Sequence, residues 1–274
     1  MGLRINTNVA SLGAQRNLHK ASQALGKSFG RLSSGLRISR ASDDAAGLAI
    51  SERMRAQVRS LQQAQRNAND GISLVQTAEG ALEEINGTLV RLRELAVQAA
   101  TGTMSQNDRN TMDAEFQDLV DEIDRIATNA SFNGTKLLTG AATLSIRVGS
   151  GTNSTVDAIA ISTTTVLASS LTLDTANISS STGANSALTN IDAAINQVSS
   201  VRGTFGAASN RLEASIRDLG ASVENLAAAE SRIRAVDVAA ETANLTKTSI
   251  MQQAAISVLA QANVQPQSAL ALLG

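Results

Sequence analysis

The sequence contains one imidazole, His19, and no thiol. A Ser–His nucleophile would have to be built on that single residue, and a zinc site made from several His or Cys ligands is unavailable. His19 lies between Leu18 and Lys20 on a helical pattern, where it reads as an exposed or interface residue. Carboxylates cluster at Glu83-Glu84 and at Asp121–Asp124. Acid–base chemistry would need such a pair to hold different proton affinities in one pocket. Both clusters fall on helical patterns and read as solvated faces, or as partners of a basic segment. No glycine-rich loop matches a phosphate cradle. The residues therefore predict no catalytic site, no cofactor and no metal, and the chain is expected not to be an enzyme.

The charge balance is uneven along the chain. Residues 1–66 carry eleven Lys/Arg against three Asp/Glu, residues 67–140 five against twelve, and residues 141–274 seven against nine. A basic first quarter raises the prospect of nucleic acid. Readers of nucleic acid usually interleave aromatics or show a known motif, and here aromatics are 1% of the residues: Phe29, Phe116, Phe132 and Phe205. The better reading is basic helices facing acidic ones, within or between subunits, with a helical nucleic-acid binder as a remote alternative. There is no apolar run long enough to span a bilayer, so no membrane insertion is expected. The first residues lack the apolar stretch of a cleaved secretory leader, and Asn6 breaks the myristoylation pattern. Asn-x-Ser/Thr triplets at Asn129, Asn133 and Asn153 are chance in a chain this rich in those residues.

What must position these residues is mostly helix. With few aromatics, one Pro and 43% hydrophobic residues, burial rests on Leu, Ile, Val and Ala in close helix–helix packing. Residues 5–33 predict a helix whose Leu18, Leu25 and Leu32 recur every seven positions, with Ala21 and Phe29 near a companion seam. Ser33–Ser42 breaks the pattern. A second helix is predicted from about Asp43, capped by Ser42, past Val97. Its stripe is Ile72, Val75, Ala78, Leu82, Ile85, Leu89 and Leu92. Fifty-five helical residues reach roughly 80 Å and need partner helices along that length. A third helix, 106–130, turns Met112, Phe116, Leu119, Ile123 and Ile126 inward, and Asn133-Gly134 favours a tight turn. Leu144, Ile146 and Val148 alternate with polar residues and Val156–Ile161 answers them, which predicts a hairpin. Residues 162–185 are Ser/Thr-rich and read as surface loop or short strands. The last helix is predicted from about Asn185 past residue 260, with a break near Gly203 or Gly206. Its seam is Leu212, Leu219, Leu226 and Ile233. After Asp237 it is nearly uncharged, and such a segment should be buried in an assembly. The two chain ends are thus expected to pack as a coiled-coil stalk with the middle as its tip.

Several segments resemble bacterial flagellin. They are Ile5-Asn6-Thr7-Asn8, Leu32–Ile38, Asp43–Ile50, Arg93–Gln98 and Phe132-Asn133-Gly134 in the first half. In the second half they are Glu230–Arg234, Asp237–Glu241, Gln261-Ala262-Asn263 and the terminal Leu272-Leu273-Gly274. The match covers about 140 N-terminal and 90 C-terminal residues, in the family's order. About 45 residues separate the two matching regions, so the large outer domains of longer members are expected to be absent.

The resemblance implies a mainly α fold: long antiparallel helices forming an inner coiled-coil domain, and a helical rod domain with a small β-hairpin. Residues 1–42 plus 236–274 would be the inner domain and 43–235 the rod, with 141–185 the hairpin and loop region. It implies a structural subunit that polymerises with itself into the extracellular flagellar filament for swimming, with a hook–filament junction protein as the alternative. Leu18, Leu25, Leu32, Leu212, Leu219, Leu226 and Ile233 would be assembly seams. Implied partners are further copies of the chain, the export chaperone at the C-terminus, and the filament cap and junction proteins. The chain would leave the cell unfolded by flagellar type III export. A Toll-like receptor would read monomers on a face that matches Arg91, Leu95 and Glu115. Some relatives carry O-linked sugars, for which the exposed Ser/Thr of residues 150–185 would serve. The His-Glu-x-x-His insert of metalloprotease-like members is lacking.

Overall fold

The structure, a computed structural model, describes residues 7–153 and 155–271, with side chains described through residue 264. Ile5, Asn6 and Leu272-Leu273-Gly274 of the quoted motifs lie outside the described residues. Five helices and two antiparallel hairpins follow in the order α1 (Val9–Ser34), α2 (Ala45–Ala100), α3 (Gln106–Asn129), β1 (Ser131–Phe132), β2 (Thr135–Lys136), β3 (Thr143–Arg147), β4 (Ala158–Ser162), α4 (Ser181–Arg234) and α5 (Val238–Ala271). They form two compact units. One combines the chain up to Ala56 with the chain from Asn225 onward, and the other is Gln57–Glu224.

The first unit is built on the antiparallel pair α1/α5. Asn8 caps α1 by accepting from the Ser11 N–H, and its Nδ2 donates to the Ala262 carbonyl at 2.7 Å. Ser11 Oγ donates to Asn263 at 2.8 Å, and at the other end Arg31 faces Glu241 at 3.7 Å. The buried seam of α1 is small: Ser11, Ala14, Ala21 and Ser28. Leu18, Leu25 and Leu32 flank it half-buried, and Phe29 points outward. Small residues let the two helix axes approach closely. A lone pair of helices then buries only one stripe of each, so the larger side chains stay at its edges.

The joints of this unit differ from expectation in two places. Ser42 does not cap α2; Asp44 does, with Oδ1 accepting the Gly47 N–H at 2.9 Å. Asp43 is occupied instead by Lys27 Nζ at 2.8 Å and by the Ser39 and Arg40 N–H groups. Lys27 chiefly, helped by those amides, holds the Asp43 carboxyl down at about 2. The helix break expected at Gly203 or Gly206 is absent, since α4 runs through both. It comes at Ala235–Asp237. There Ala235 bridges Leu36, the Val236 N–H donates to Gly35 and the Arg37 N–H to Arg234. Gly35 can supply its carbonyl because it sits at φ 69°, a conformation that favours glycine. Asp237 restarts the helix by accepting the Ala239 and Ala240 N–H groups. An isolated glycine costs an otherwise packed helix only about 1 kcal/mol, whereas a paired backbone bridge with a fresh cap defines a break.

The second unit holds the main core. Val75, Ala78, Leu82, Ile85, Leu89 and Leu92 of α2 are buried, with Ile72 at the edge. They meet Phe116, Val120, Ile123 and Ala127 of α3, and Ile191, Val198, Phe205 and Leu212 of α4. The buried face of α3 is turned from the predicted one: Val120 and Ala127 face in, while Met112, Leu119 and Ile126 lie at its margin. Within this unit α2 and α4 run antiparallel, since Arg93 pairs with Asp192 while Glu79 pairs with Arg202. The β3–β4 hairpin pairs Leu144 with Ile161 and Ile146 with Ile159, and Ile159 and Ile161 enter the core.

Residues 163–178 form no helix or strand, yet they are not a surface loop. Val166, Ala168, Leu171, Leu173 and Ile178 are buried. Buried backbone N–H groups outside a ladder need other acceptors, and α3 supplies them. Asp124 accepts the Ala168 N–H at 2.6 Å and Asp113 the Ile178 N–H at 2.7 Å.

Leu89→Ala is expected to cost about 2–5 kcal/mol, while Val90→Ala, one residue along and exposed, should change stability by less than about 0.5 kcal/mol. Gly71→Val should cost about 1–3 kcal/mol, because even a Cβ there would lie 3.2 Å from Ile146 and Leu212. Denaturant unfolding of the three variants checks this order.

Candidate assembly and recognition surfaces

The groups singled out for chemistry lie on helix surfaces or are paired. His19 is exposed, with Nε2 2.9 Å from Gln23 Nε2. Glu83 and Glu84 are exposed. Of the second carboxylate cluster, Asp121 is exposed, Glu122 is paired with Arg125 at 2.6 Å and Asp124 holds the Ala168 N–H. Arg125 pulls the Glu122 carboxyl below its ordinary range, which is the wrong direction for a proton donor at neutral pH. Among the described residues no three His, Cys, Asp or Glu side chains are grouped to hold a metal ion. Among them no helix is long and apolar enough to cross a membrane.

What the molecule presents instead is surface. In the chain-end unit, Val9, Leu12 and Phe29 of α1 and Ile250, Ile256, Val258 and Val264 of α5 are exposed. Phe29 is 67% and Ile250 61% exposed. A cleft of about 640 Å³ between the two helices is lined by Leu25, Phe29, Leu245 and Ile250 among others. Between Glu241 and residue 264, α5 carries only Lys247 as a charged residue, so its exposed apolar side chains stand mostly among uncharged polar ones such as Thr246 and Gln253. Full burial of each such side chain would contribute about 1.5–3 kcal/mol. Large apolar side chains exposed on both helices of a pair mark a candidate association surface.

The other sequence-predicted seam residues lie differently. Leu212 is fully buried in the core of the second unit and Leu219 is also buried, while Leu226 and Ile233 are half-buried. Their heptad spacing marks a packed stripe but does not separate packing within a chain from packing between chains. Arg91 and Glu115 are brought together at 2.8 Å across α2 and α3, with Glu94 3.1 Å from the same guanidinium. Glu115 first and Glu94 second raise the Arg91 pKa. Leu95, one turn along from Arg91, faces the core and is 2% exposed. The exposed part of that face is therefore the Arg91–Glu115 pair, with Val90 and Val97 beside it. Sequence reasoning missed the buried roles of Asp113 and Asp124. Their only signal was position on the inward edge of α3, close to Phe116 and Ile123.

Two family models match the chain: the bacterial flagellin N-terminal helical region over residues 5–143, and the bacterial flagellin C-terminal helical region over residues 188–273. A flagellin from Halalkalibacterium halodurans is 47% identical over 270 residues, covering 98% of this chain and 99% of that protein. Among solved structures, Bacillus cereus flagellin is similar with a TM-score of 0.51 and 34% identity, over 60% of this chain and 94% of that one. A putative flagellar hook-associated protein from Vibrio parahaemolyticus has a TM-score of 0.59 at 15% identity, over 70% of this chain and all of that one, a likeness of fold alone.

Phe29→Ser and Ile250→Ser are each expected to weaken self-association by at least about tenfold, the equivalent of ~1.4 kcal/mol, without lowering the stability of the Gln57–Glu224 unit. Sedimentation and thermal unfolding of the two variants check this.

Proposed function

The chain belongs to the bacterial flagellin family, and from that premise we propose how its two units divide the work of a flagellar filament. It is a structural subunit of the extracellular filament, it polymerises with itself, and it lacks large outer domains. Residues 1–42 plus 236–274 act as the inner coiled-coil domain and residues 43–235 as the rod. The observation that carries this reading is the set of large apolar side chains exposed on α1 and α5, Phe29 and Ile250 foremost. In a polymer, neighbouring copies bury them. In a free subunit they lie against water, so helix formation at the chain ends is coupled to assembly. Leu18, Leu25 and Leu32 are half-buried at the margin of the α1/α5 seam, where a neighbouring copy completes their burial, as it does for Leu226 and Ile233.

The same uncovered surface fits the further partners. Before export, residues 235–274 are held by the flagellar export chaperone, which shields the apolar face of α5. The filament cap and the junction proteins meet the same inner domain at the two ends of the polymer. The Arg91–Glu115 pair, with Leu95 packed beneath it, is the face that a Toll-like receptor reads on monomers.

Deleting residues 236–274 should abolish polymerisation while the Gln57–Glu224 unit keeps its cooperative unfolding transition. Electron microscopy and calorimetry of the truncated chain test this, and filaments of normal yield would overturn the assignment of the inner domain. Glu115→Lys should weaken binding of dilute monomers to the receptor ectodomain. It should leave thermal stability nearly unchanged, since an exposed ion pair contributes only about 0–1 kcal/mol. Unaltered binding would remove that face from the proposal.

A further inference from the structure

The chain contains two Asn-Gly pairs, and the structure treats them in opposite ways. Asn86-Gly87 lies inside α2, where each backbone N–H is engaged in the helix and the main chain is held away from its own side chains. Asn133-Gly134 is the two-residue loop between β1 and β2, with Phe132 paired to Thr135 and Ser131 to Lys136. Both loop residues have positive φ, 46° and 78°, as the preferred two-residue hairpin turn requires. Both are exposed. Among the described residues, neither the Gly134 N–H nor the Asn133 carboxamide has a hydrogen-bond partner.

This places a nucleophile and an electrophile on adjacent residues with nothing holding either. Gly134 has no side chain to crowd the approach of its nitrogen, and the open space around it contains no other atom within 4 Å of a Cβ position. The left-handed conformation of Asn133 is not itself the reactive one, because the Gly134 nitrogen must swing toward the side-chain carbon. Only the turn has to open for that. The strands are two residues each, and such short exposed elements open locally at low cost.

We propose that Asn133-Gly134 is a self-modification site of this chain, at which isoaspartate forms. The Gly134 amide nitrogen attacks the Asn133 side-chain carbonyl carbon. The new C–N bond closes a five-membered imide, the amide proton is lost and ammonia leaves. Water then adds to one of the two imide carbonyls. Opening one way leaves an ordinary aspartate. Opening the other way leaves a β-linked aspartate, whose side-chain carbon has entered the main chain. Either product adds a negative charge at the hairpin tip. The β-linked one also lengthens a loop whose register depends on two residues. Phe132, packed against the core edge, and Leu137 and Leu138, fully buried just beyond β2, make that register matter to the second unit.

The full chain is incubated in mildly alkaline buffer beside a synthetic peptide spanning residues 129–137. Both are digested, mapped by mass spectrometry, and assayed for methyl transfer from S-adenosylmethionine by an isoaspartate-specific methyltransferase. Conversion at residue 133 is expected to be slower than in the peptide but at least about tenfold faster than at Asn86, a difference of ~1.4 kcal/mol in the free energy of opening. Methyl acceptance should disappear in Asn133→Gln. The proposal is overturned if residue 133 stays intact when the peptide is fully converted, if Asn86 converts as fast, or if Asn133→Gln accepts methyl groups to the parent level.

Discussion

A pair of helices can bury one stripe of each, and α1 and α5 are apolar on more than one. Everything peculiar to this chain follows from that constraint. The shared seam is filled by Ala14, Ala21 and Ser28, which bring the two helices close but bury little area. Val9, Leu12 and Phe29 on one helix and Ile250, Ile256 and Val258 on the other are left outside. In the proposed filament their burial comes from other copies. The interface then supplies the free energy that offsets the ordering of two chain ends, which costs roughly 1–2 kcal/mol per residue in backbone entropy alone.

The Gln57–Glu224 unit solves the opposite problem. Its core is complete within one chain: Leu82, Ile85, Leu89 and Leu92 of α2 close on Phe116 and Phe205, two of the four aromatic residues. The irregular segment 163–178 seals that core without a ladder, because Asp113 and Asp124 accept backbone N–H groups that would otherwise be buried unpaired. Between them the two units separate functions that one globule could not combine. One buries its large apolar side chains within the chain. The other leaves large apolar side chains exposed on both its helices, and its joints are backbone pairings, Leu36 with Ala235 and Val236 with Gly35, reinforced by Lys27 on Asp43 and by Arg234 on Glu52.

Much of this was legible in the residues. The α2 stripe from Val75 to Leu92, the extent of α3 and the β3–β4 alternation are local patterns, and local patterns report local structure. What escaped is what depends on a partner. The heptad leucines of α1 read as the seam, but the seam went to the alanines and serines between them, a choice made by how closely α5 approaches. The break between α4 and α5 has no glycine or proline to announce it; it is set by residues 35–37, two hundred positions earlier in sequence. The Ser/Thr-rich middle looked like surface, because no single-chain pattern shows that two aspartates on α3 will satisfy its backbone. For the candidate surfaces, spacing pointed to the apolar stripes and family likeness to Arg91 and Glu115. Only the structure showed that Leu95 lies beneath them.

On the proposed function, the chain-end helices acquire their order from neighbouring copies while the second unit does not. Amide hydrogen exchange on dilute monomer and on assembled filament tests it most directly. Fast exchange is expected across α1 and α5 in the monomer, with strong protection of both in the filament and equal protection of Leu82–Leu92 and Phe116–Ala127 in the two states. Strong protection of α1 and α5 in a dilute monomer would contradict it, because the pair would then be stable without the burial that assembly provides.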